Sequence, residues 1–555
     1  MRFMLIHFAR MYSTASLYFR TIRYLKIKQI IFRLRYYISN PTVPSLIECD
    51  AFTPKHKGCR FHFPVKNKTI YKENEFCFLN KTEVLSFPQD WNKKSLTVLW
   101  LYNLHYFDGV LNPDTPDIIV EKLINKWILE NPSGDGVGWQ PYPLSLRICN
   151  WIKWIWAKDG APDKIITSSL FQQTYYLSKT LEFHLLGNHL LENSKALIFS
   201  GLFFGGPKGK EWFTLGVKIL CAELEEQVLD DGGHFELSPM YHIIILDLVL
   251  DVLQLCNDKL AIDEFRDLKI FLVGIAKKMS SWLTKMCHPD GEISYFNDAT
   301  LGIAPSPKEI LARSSELTGF QRYTSHSRLE YLCDSGFLRF QDEEAVLIMD
   351  VGEVGASYLA GHGHADSLSV ELSLLDQRVI VNSGTSEYGN TERRSYERGT
   401  AAHSTLELNN KNSSEVWGGF RVGRRASVGG ISFEGNRSVT ASHNGYRFLR
   451  GAPIHVRKVI FKKQFISIED TVRGPCESAS VYFHVHPSVR LVQKSKFGGV
   501  LILSDDTLIS WKAVATQVEV RKHSYAAGFG DLKSTFSLIL TPKHNEACKL
   551  QFTWG

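Results

Sequence analysis

Several signals that would assign a protein quickly are missing from this sequence. Its ten cysteines include no C-x-x-C pair, which argues against a zinc ribbon or a thioredoxin-like site, so we expect mostly buried thiols. No apolar run reaches the roughly 18 residues that a transmembrane helix needs, and we find neither a low-complexity segment nor a short internal repeat. The net charge of +6 over 555 residues is too small to indicate nucleic-acid binding. An acidic substrate stays compatible with this charge if the basic residues concentrate in one cleft.

The N-terminus is basic and aromatic, but it makes a poor secretory signal. Arg10, Arg20 and Arg23 interrupt its apolar stretches, whereas a signal peptide needs a continuous apolar stretch. We predict that residues 1–75 form a basic N-terminal arm. A helical extension packed on the main domain is favoured over the alternative, an amphipathic arm that lies on a membrane surface.

The two halves of the chain differ in the spacing of their apolar residues. Between about residues 90 and 320 the spacing is three and four, as in 144–157 and 241–255, which predicts amphipathic helices stacked as hairpins in an array or toroid. After about residue 330 the period is two, as in 456–472, which predicts antiparallel strands in packed sheets. A single core stops growing at roughly 250–300 residues. We therefore predict a helical domain over 76–325 and a β domain over 326–555.

The first group of polar residues that could carry chemistry lies within the helical half. Asn188 and Glu192 are four residues apart, as are His189 and Asn193, so both pairs lie on adjoining strips of one helix face. Leucines flank them, and buried polar groups need hydrogen-bond partners. The alternative to a functional site is a polar network that joins helices.

A second group follows a glycine turn. Ser238 and Pro239 predict the start of a helix, which places Tyr241 and His242 near its N-terminus. The positive end of a helix can stabilise a phenolate. The alternative is a tyrosine that packs with its hydroxyl capped.

A third group lies in the β half, in a glycine-rich loop before a strand. His362 and His364 are separated by one residue, so one ring can face a cleft and the other a metal. His403 is a third candidate nitrogen ligand. Arg394 and Arg398, four residues apart, suit recognition of a carboxylate or sulfate.

Together these groups resemble the heparinase II/III-like polysaccharide lyases, a family that includes some alginate and oligoalginate lyases. The matching segments follow the family's order and are residues 139–147, 188–193, 231–242, 362–366 and 394–405. The resemblance implies a multidomain α+β fold, with an N-terminal incomplete (α/α) toroid followed by a C-terminal antiparallel β-sandwich and a cleft between them. It also implies β-elimination at a uronic acid, which cleaves the bond at C4 and leaves an unsaturated sugar.

The resemblance implies a role for each matching residue. Asn188 would bind the substrate carboxylate, together with His362 or an arginine. His189 would be the base for one C5 stereochemistry, and Tyr241 the acid, or both base and acid. Glu192 would orient this set. The residues expected to line or support sugar subsites are Trp139, Tyr142, Arg147, Tyr388, Arg394 and Arg398.

Seven of the twelve tryptophans lie between Trp91 and Trp156. Trp139 is in a loop rich in glycine and proline, so we expect its ring in the cleft. Trp151 and Trp154 stand at helical spacing and are expected in the core.

The family's chemistry requires no cofactor, but some members hold a structural metal in the β domain. Matched residue by residue, its ligands here would be His364, Asn382 and His403. The family's middle ligand is usually aspartate, and a neutral asparagine is a poorer zinc ligand. We therefore expect substoichiometric zinc.

The run from Tyr18 to Ile30 is similar to the start of family members associated with bacterial surface-polysaccharide production. The expected partner is an acidic polysaccharide, and the oligomeric state is not predicted. The resemblance implies a periplasmic location, while the poor signal leaves the cytoplasm and the membrane surface open. Two other functions stay open: a glycan-binding or assembly protein without turnover, and a glycoside hydrolase on an α/α toroid that uses Glu192 and Glu236, since such enzymes need two carboxylates.

Overall fold

The structure, a computed structural model, describes residues 14–38, 41–45, 68–158, 163–258, 265–321, 328–542 and 546–555. The predicted arm is therefore described only in part, and its first residues lie outside the described ranges. Helical residues 14–22 precede α1. The helices are α1 Ile27–Ile38, α2 Val98–Tyr106, α3 Asp117–Glu130, α4 Pro141–Trp156, α5 Lys164–Lys179, α6 Gly187–Phe204, α7 Gly206–Gln227, α8 Pro239–Asp258, α9 Arg266–Met286, α10 Pro307–Thr318 and α11 Glu392–Glu397.

The strands form one small sheet between α1 and α2, a two-stranded pair, and two large antiparallel sheets whose strands follow α10. The small sheet contains β1 Ile70–Lys72, β2 Glu75–Phe78 and β3 Lys81–Val84, so it crosses the predicted boundary at residue 75. The later strands are β4 Leu329–Leu332, β5 Phe337–Gln341, β6 Ala345–Asp350, β7 Val370–Leu374, β8 Gln377–Val381, β9 Leu406–Leu408, β10 Val416–Trp417, β11 Arg421–Val422, β12 Val428–Phe433, β13 Ser438–His443, β14 Ile454–Lys462, β15 Phe465–Arg473, β16 Ala479–Val485, β17 Arg490–Ser495, β18 Gly498–Ile502, β19 Leu508–Val514, β20 Gln517–Gly528, β21 Asp531–Thr541 and β22 Cys548–Thr553.

The two large sheets face each other as a sandwich. One has the order β12-β13-β14-β15-β22-β19-β18-β17, and the other has the order β20-β21-β16-β8-β7-β6-β5-β4, with β9 paired to β16. Alternate side chains of a strand point to opposite faces, and the inward side chains of both sheets form one core. Within it the rings of Phe340 and Phe461 stack with their centroids 5.5 Å apart.

The helical domain packs against the outer face of the second sheet. Strand β6 is buried at every position because one face lies in the sandwich and the other faces the helices. On that outer face Val346 and Ile348 share a core cluster with Trp282 and Met286 of α9. This contact fixes the two domains against each other and leaves a cleft between them. The fold is the predicted α/α toroid followed by an antiparallel β-sandwich.

The N-terminal segment 14–38 contacts both domains. Arg20 forms an ion pair with Glu415 of the β domain, with Nη2 and Oε1 2.7 Å apart. Gln29 of α1 is buried and its Nε2 donates a hydrogen bond to the Leu185 carbonyl of the toroid, at 3.5 Å. The segment therefore bridges the domains along one side of the cleft.

One helix of the described residues, Pro239–Asn257, is long and apolar enough to cross a membrane. However, 83% of that stretch is buried inside the protein. Core helices pass the same test of length and composition, so this helix gives little reason to expect a membrane span.

Candidate active site

A cleft of about 1700 Å³ lies between the toroid and the sandwich. Side chains from both domains line it, together with α1 of the N-terminal segment. The predicted site residues that reach the cleft are Tyr142, Asn188, His189, Glu192, Tyr241, His362 and Tyr388. The structure thus brings together residues that are up to 246 positions apart in the sequence.

Asn188 is held at the first turn of α6 by Glu236. The Asn188 backbone N–H donates to Glu236 Oε1 at 3.3 Å, and Nδ2 lies 3.2 Å from each carboxylate oxygen. The close approach depends on Gly187, whose φ is +58° and where a Cβ would come within 2.5 Å of Glu236 Oε1. A non-glycine residue there would be strained and would clash with the carboxylate.

His189 is oriented by a buried carboxylate and an aromatic ring. Its Nδ1 lies 2.9 Å from Glu182 Oε1, and the Tyr142 ring lies against it with centroids 4.4 Å apart. Burial opposes the charged imidazolium, but the nearby carboxylates, with Glu182 foremost, together outweigh burial and raise the pKa of His189 above 6.5. Asn193 donates to the other oxygen of Glu182 at 3.0 Å, which fixes that carboxylate.

Tyr241 stands in the first turn of α8, where Ser238 caps the helix by accepting from the Tyr241 N–H at 3.2 Å. Its ring lies over His362, with centroids 3.9 Å apart, and its hydroxyl lies 3.1 Å from the Tyr388 hydroxyl. Burial, with Tyr388 and Asp298 nearby, raises the pKa of Tyr241 well above 10. The phenol is therefore protonated at neutral pH.

The Asp298 carboxylate of the toroid contacts three residues of the β domain. Its Oδ2 lies 2.8 Å from His362 Nδ1, and its Oδ1 lies 2.8 Å from His364 Nε2. Both terminal nitrogens of Arg394 donate to the same carboxylate, with Nη2 2.7 Å from Oδ2. Burial alone would favour the neutral acid, but Arg394 and the two imidazoles hold the pKa of Asp298 well below its usual range. His362 Nε2 is left pointing toward Glu236, with Oε2 at 3.6 Å.

Two family descriptions match this chain. "Heparinase II/III N-terminus" matches residues 125–317, and "Heparinase II/III-like, C-terminal" matches residues 324–555. The chain belongs to the heparinase II/III-like family. This confirms the resemblance inferred from the five sequence segments.

Relatives of this family member are known in sequence. It is 25% identical to a heparin-sulfate lyase of Bacteroides stercoris over 324 residues, which are 54% of this chain and 46% of the relative. It is also 25% identical to a heparin-sulfate lyase of Pedobacter heparinus over 322 residues, 52% of this chain and 47% of the relative. The match thus spans about half the length of these curated relatives.

The heparinase fold is also seen in solved structures. A crystal structure of heparinase III superposes with a TM-score of 0.69 at 17% identity, covering 94% of this chain and 88% of the other. A heparan sulfate lyase from Pedobacter heparinus gives a TM-score of 0.57 at 17% identity, covering 92% and 87%. At this identity the likeness establishes the toroid-and-sandwich fold.

The three arginines expected to line or support sugar subsites are buried and do not line the cleft, so only a supporting role stays a prediction. Arg394 is 1% exposed and is paired with Asp298. Arg398 is equally buried and donates to the Gly363 carbonyl at 2.9 Å, so it braces the loop that carries His362. Arg147 is fully buried, because its guanidinium bonds core acceptors and stacks on a tryptophan ring.

The expected position of Trp139 in the cleft is wrong. Its side chain is 2% exposed, and its ring packs against Trp127 and Tyr176 with centroid distances of 5.9 and 5.3 Å. The glycine-rich loop folds onto α3 and α5 and carries the ring inward with it. Trp151 and Trp154 are buried in the core as expected.

Glu192 reaches the cleft but does not orient the catalytic set. Its carboxylate pairs with Lys195 on the same helix, with Oε2 and Nζ 2.7 Å apart. The orienting contacts come instead from Glu182 on His189, from Glu236 on Asn188 and from Asp298 on His362. The sequence patterns did not select these three for that role, although Glu236 lies inside a recognised segment.

The residues predicted to hold a metal fit one only in part. His364 Nδ1 and His403 Nε2 lie 3.2 Å apart, and burial lowers the two pKa values to about 4 and about 3, which keeps both imidazoles neutral. Asn382 Oδ1 accepts a hydrogen bond from the Ser404 backbone N–H at 3.0 Å. The amide oxygen, which is the atom that could bind a metal, is therefore already engaged. Within the described residues no cluster of three or more His, Cys, Asp or Glu side chains could hold a metal ion. His364 and His403 therefore fit a metal, but Asn382 does not. Substoichiometric zinc binding stays a prediction.

Proposed function

We propose that the protein is a polysaccharide lyase that cleaves a uronic-acid-containing acidic polysaccharide by β-elimination. The observation that carries this proposal is the convergence of Asn188, His189, Tyr241 and His362 on one cleft. The likeness to heparin-sulfate lyases supports it. The reaction needs a group that neutralises the carboxylate, a base for the C5 proton and an acid for the leaving oxygen.

The C5 proton is only weakly acidic, so the adjacent carboxylate must be stabilised as negative charge develops on it. Asn188 and His362 are suited to this step because both approach the same carboxylate, Glu236, from the two domains. A substrate carboxylate bound between them would compete for these donors. Asp298 keeps His362 in position by binding its Nδ1 at 2.8 Å.

The two proton transfers fall to His189 and Tyr241. Neutral His189 is the base, and Glu182 supports the imidazolium that forms when it takes the C5 proton. Tyr241 is a phenol at neutral pH because its pKa is raised well above 10. It is therefore ready to give its proton to the leaving oxygen. To serve also as base, Tyr241 would need its pKa lowered by the bound substrate.

The hydrolase alternative is weakened by the surroundings of its two carboxylates. Glu236 accepts hydrogen bonds from Asn188, and Glu192 is paired with Lys195. A glycosidase requires its two carboxyl groups to flank the scissile bond, whereas these two are occupied by contacts with neighbouring side chains of the protein. The alternative of a binding protein without turnover is disfavoured because the four proposed catalytic groups all reach the cleft.

The test is a screen of acidic polysaccharides for the ultraviolet absorbance of an unsaturated uronate. Wild-type protein should produce this absorbance, and Tyr241→Phe should lower kcat by about 10²- to 10⁴-fold. Tyr446→Phe is the matched control, because Tyr446 is also buried and hydrogen-bonded, with its hydroxyl 2.8 Å from the Leu406 carbonyl in the sandwich.

The outcomes separate the candidate functions. Reducing ends without the absorbance would indicate a hydrolase, and binding without either would indicate the inactive glycan-binding protein. Full lyase activity in Tyr241→Phe would refute the assignment of the acid.

We further propose that the substrate is a bacterial surface polysaccharide and that the protein works in the periplasm, as the sequence resemblance implies. Degradation of host glycosaminoglycans alone, with bacterial polymers untouched, would count against the first proposal. Contact of the N-terminal arm with a membrane is a separate prediction that activity in the cleft does not test.

A further inference from the structure

Helix α1 presents a stripe of apolar side chains to the solvent. Ile27, Ile31, Leu34 and Ile38 are 75, 57, 60 and 82% exposed. Their spacing of four, three and four residues places them along one side of the helix. An amphipathic helix normally buries such a stripe against its own protein, and contiguous exposed apolar surface marks an interaction site.

The stripe is turned outward because the opposite side of α1 is already bound to the protein. Gln29 is buried against the toroid. The Phe32 ring packs on Phe183 with centroids 4.9 Å apart, and the Tyr36 ring stacks on His184 at 4.5 Å. These contacts fix the rotation of the helix, so the apolar stripe is left free to meet another surface.

Basic residues flank one side of the stripe. Lys28 and Arg35 each follow a stripe residue by one position and are seven residues apart, so they share one margin of it. Residues 1–47 contain eight lysines and arginines and neither aspartate nor glutamate. The rest of the chain carries a small net negative charge, so the positive charge of the protein is concentrated in this segment.

We propose that α1 docks on a bilayer that contains anionic lipids, with the apolar stripe among the acyl chains and Lys28 and Arg35 at the headgroups. This combination of an apolar face with flanking cations is typical of helices that lie in the membrane interface. A second copy of the chain is a poorer occupant, because it would bring an equally basic helix against this one. The segment before residue 14 is a poorer occupant too, because it carries further arginines and no acidic residue.

Docking in this orientation has a consequence for the cleft. Three residues next to the toroid side of α1 line the cleft. They are Leu25, which precedes the helix, and Gln29 and Arg33, which lie within it. A helix with its side chains is about 10–12 Å across. The cleft would therefore open close to the bilayer surface, next to glycans that are attached to it or emerge from it.

The experiment is flotation of the full-length protein with vesicles, which needs no polysaccharide and so is independent of the lyase proposal. The vesicles are pure phosphatidylcholine or an equal mixture of phosphatidylcholine and phosphatidylglycerol. We expect binding to the mixed vesicles and weakening by salt, since surface charges are screened. Leu34→Glu with Ile31→Glu should weaken binding by at least about tenfold, because both apolar contacts are lost. Lys28→Gln with Arg35→Gln should weaken it specifically for the mixed vesicles.

Leu129→Glu is the matched control, because Leu129 is a similarly exposed leucine, at 83%, on helix α3 of the toroid. It should bind as the wild type does. Thermal unfolding should be unchanged in all variants because the substituted side chains are exposed, and a variant that unfolds early is replaced by its serine counterpart.

Four results would overturn the proposal. The first is equal binding, or none, to the two kinds of vesicle. The second is binding that the stripe substitutions leave intact. The third is a dimer in analytical ultracentrifugation that the stripe substitutions abolish, which would make the stripe an interface between copies. The fourth is binding that appears only after removal of residues 1–13, which would assign the stripe to that segment.

Discussion

Replacing Asp298 with asparagine would remove the negative charge around which the two domains assemble the candidate site. The carboxylate is fully buried and binds both terminal nitrogens of Arg394 as well as His362 and His364. The asparagine has the same shape, but it can accept through one atom only. It would leave the Arg394 guanidinium buried without its counter-charge.

The expected cost in stability follows from that unpaired charge. Breaking a buried ion pair by removing one partner costs about 3–5 kcal/mol. The substitution Asp470→Asn should cost a similar amount, because Asp470 is equally buried and binds Arg457 and His455, with distances of 2.8 and 2.6 Å to its Oδ1. Asp470 lies in the sandwich, on strand β15, and has no contact with the catalytic groups among those described.

The two variants should differ in activity. Asp298→Asn should lower kcat by about 100-fold, because a catalytic group misplaced by about 1 Å costs that much, and His362 loses the acceptor that orients it. Asp470→Asn should keep its kcat per folded molecule. The assay is lyase activity below the unfolding temperature of both variants, beside urea unfolding to obtain the free energies. Equal losses of kcat in the two variants, or an unchanged kcat in Asp298→Asn, would refute the positioning role of Asp298.

Three other predictions follow from contacts in the site. Lyase activity should rise with pH through an apparent pKa above 6.5, since His189 must be neutral to accept a proton. Glu182→Gln should shift the midpoint of this pH profile to lower pH. A profile that does not shift would exclude His189 as the titrating base. Asn382→Asp should raise the zinc bound after dialysis from substoichiometric toward one equivalent, measured by metal analysis, whereas a full equivalent in the wild type would show that asparagine suffices. Arg398→Leu should lower kcat by about tenfold with little change in KM, because the loop that carries His362 loses its brace; a change confined to KM would instead indicate that Arg398 touches the substrate.

The architecture was predictable because it depends on the period of apolar residues. A change from a spacing of three and four to a spacing of two separates helices from strands wherever one face is buried. Asn188, His189 and Tyr241 could be found for a related reason. Asn188 and His189 belong to two pairs of polar residues four apart on one helix face, and Tyr241 follows the helix start that Ser238 and Pro239 mark.

The partners of these residues could not be found in the same way. Asp298 is 64 positions from His362 and 96 from Arg394, so only the packing of the two domains brings them together. The sequence also left open whether Arg394 and Arg147 line a sugar subsite or support one. An arginine that binds a substrate and one that binds a buried acceptor look alike in sequence, and burial decides between them.

The Asp298 contact has a consequence for how this protein can vary. Its carboxylate comes from the helical half and its partners come from the β half, so neither half holds the complete set of proposed catalytic groups. If the chain were divided between the halves, each piece would be inactive, and activity would return only on reassociation. Recombination that exchanged one half for that of a distant relative would have to preserve this buried contact, which ties the two halves to a common evolutionary history.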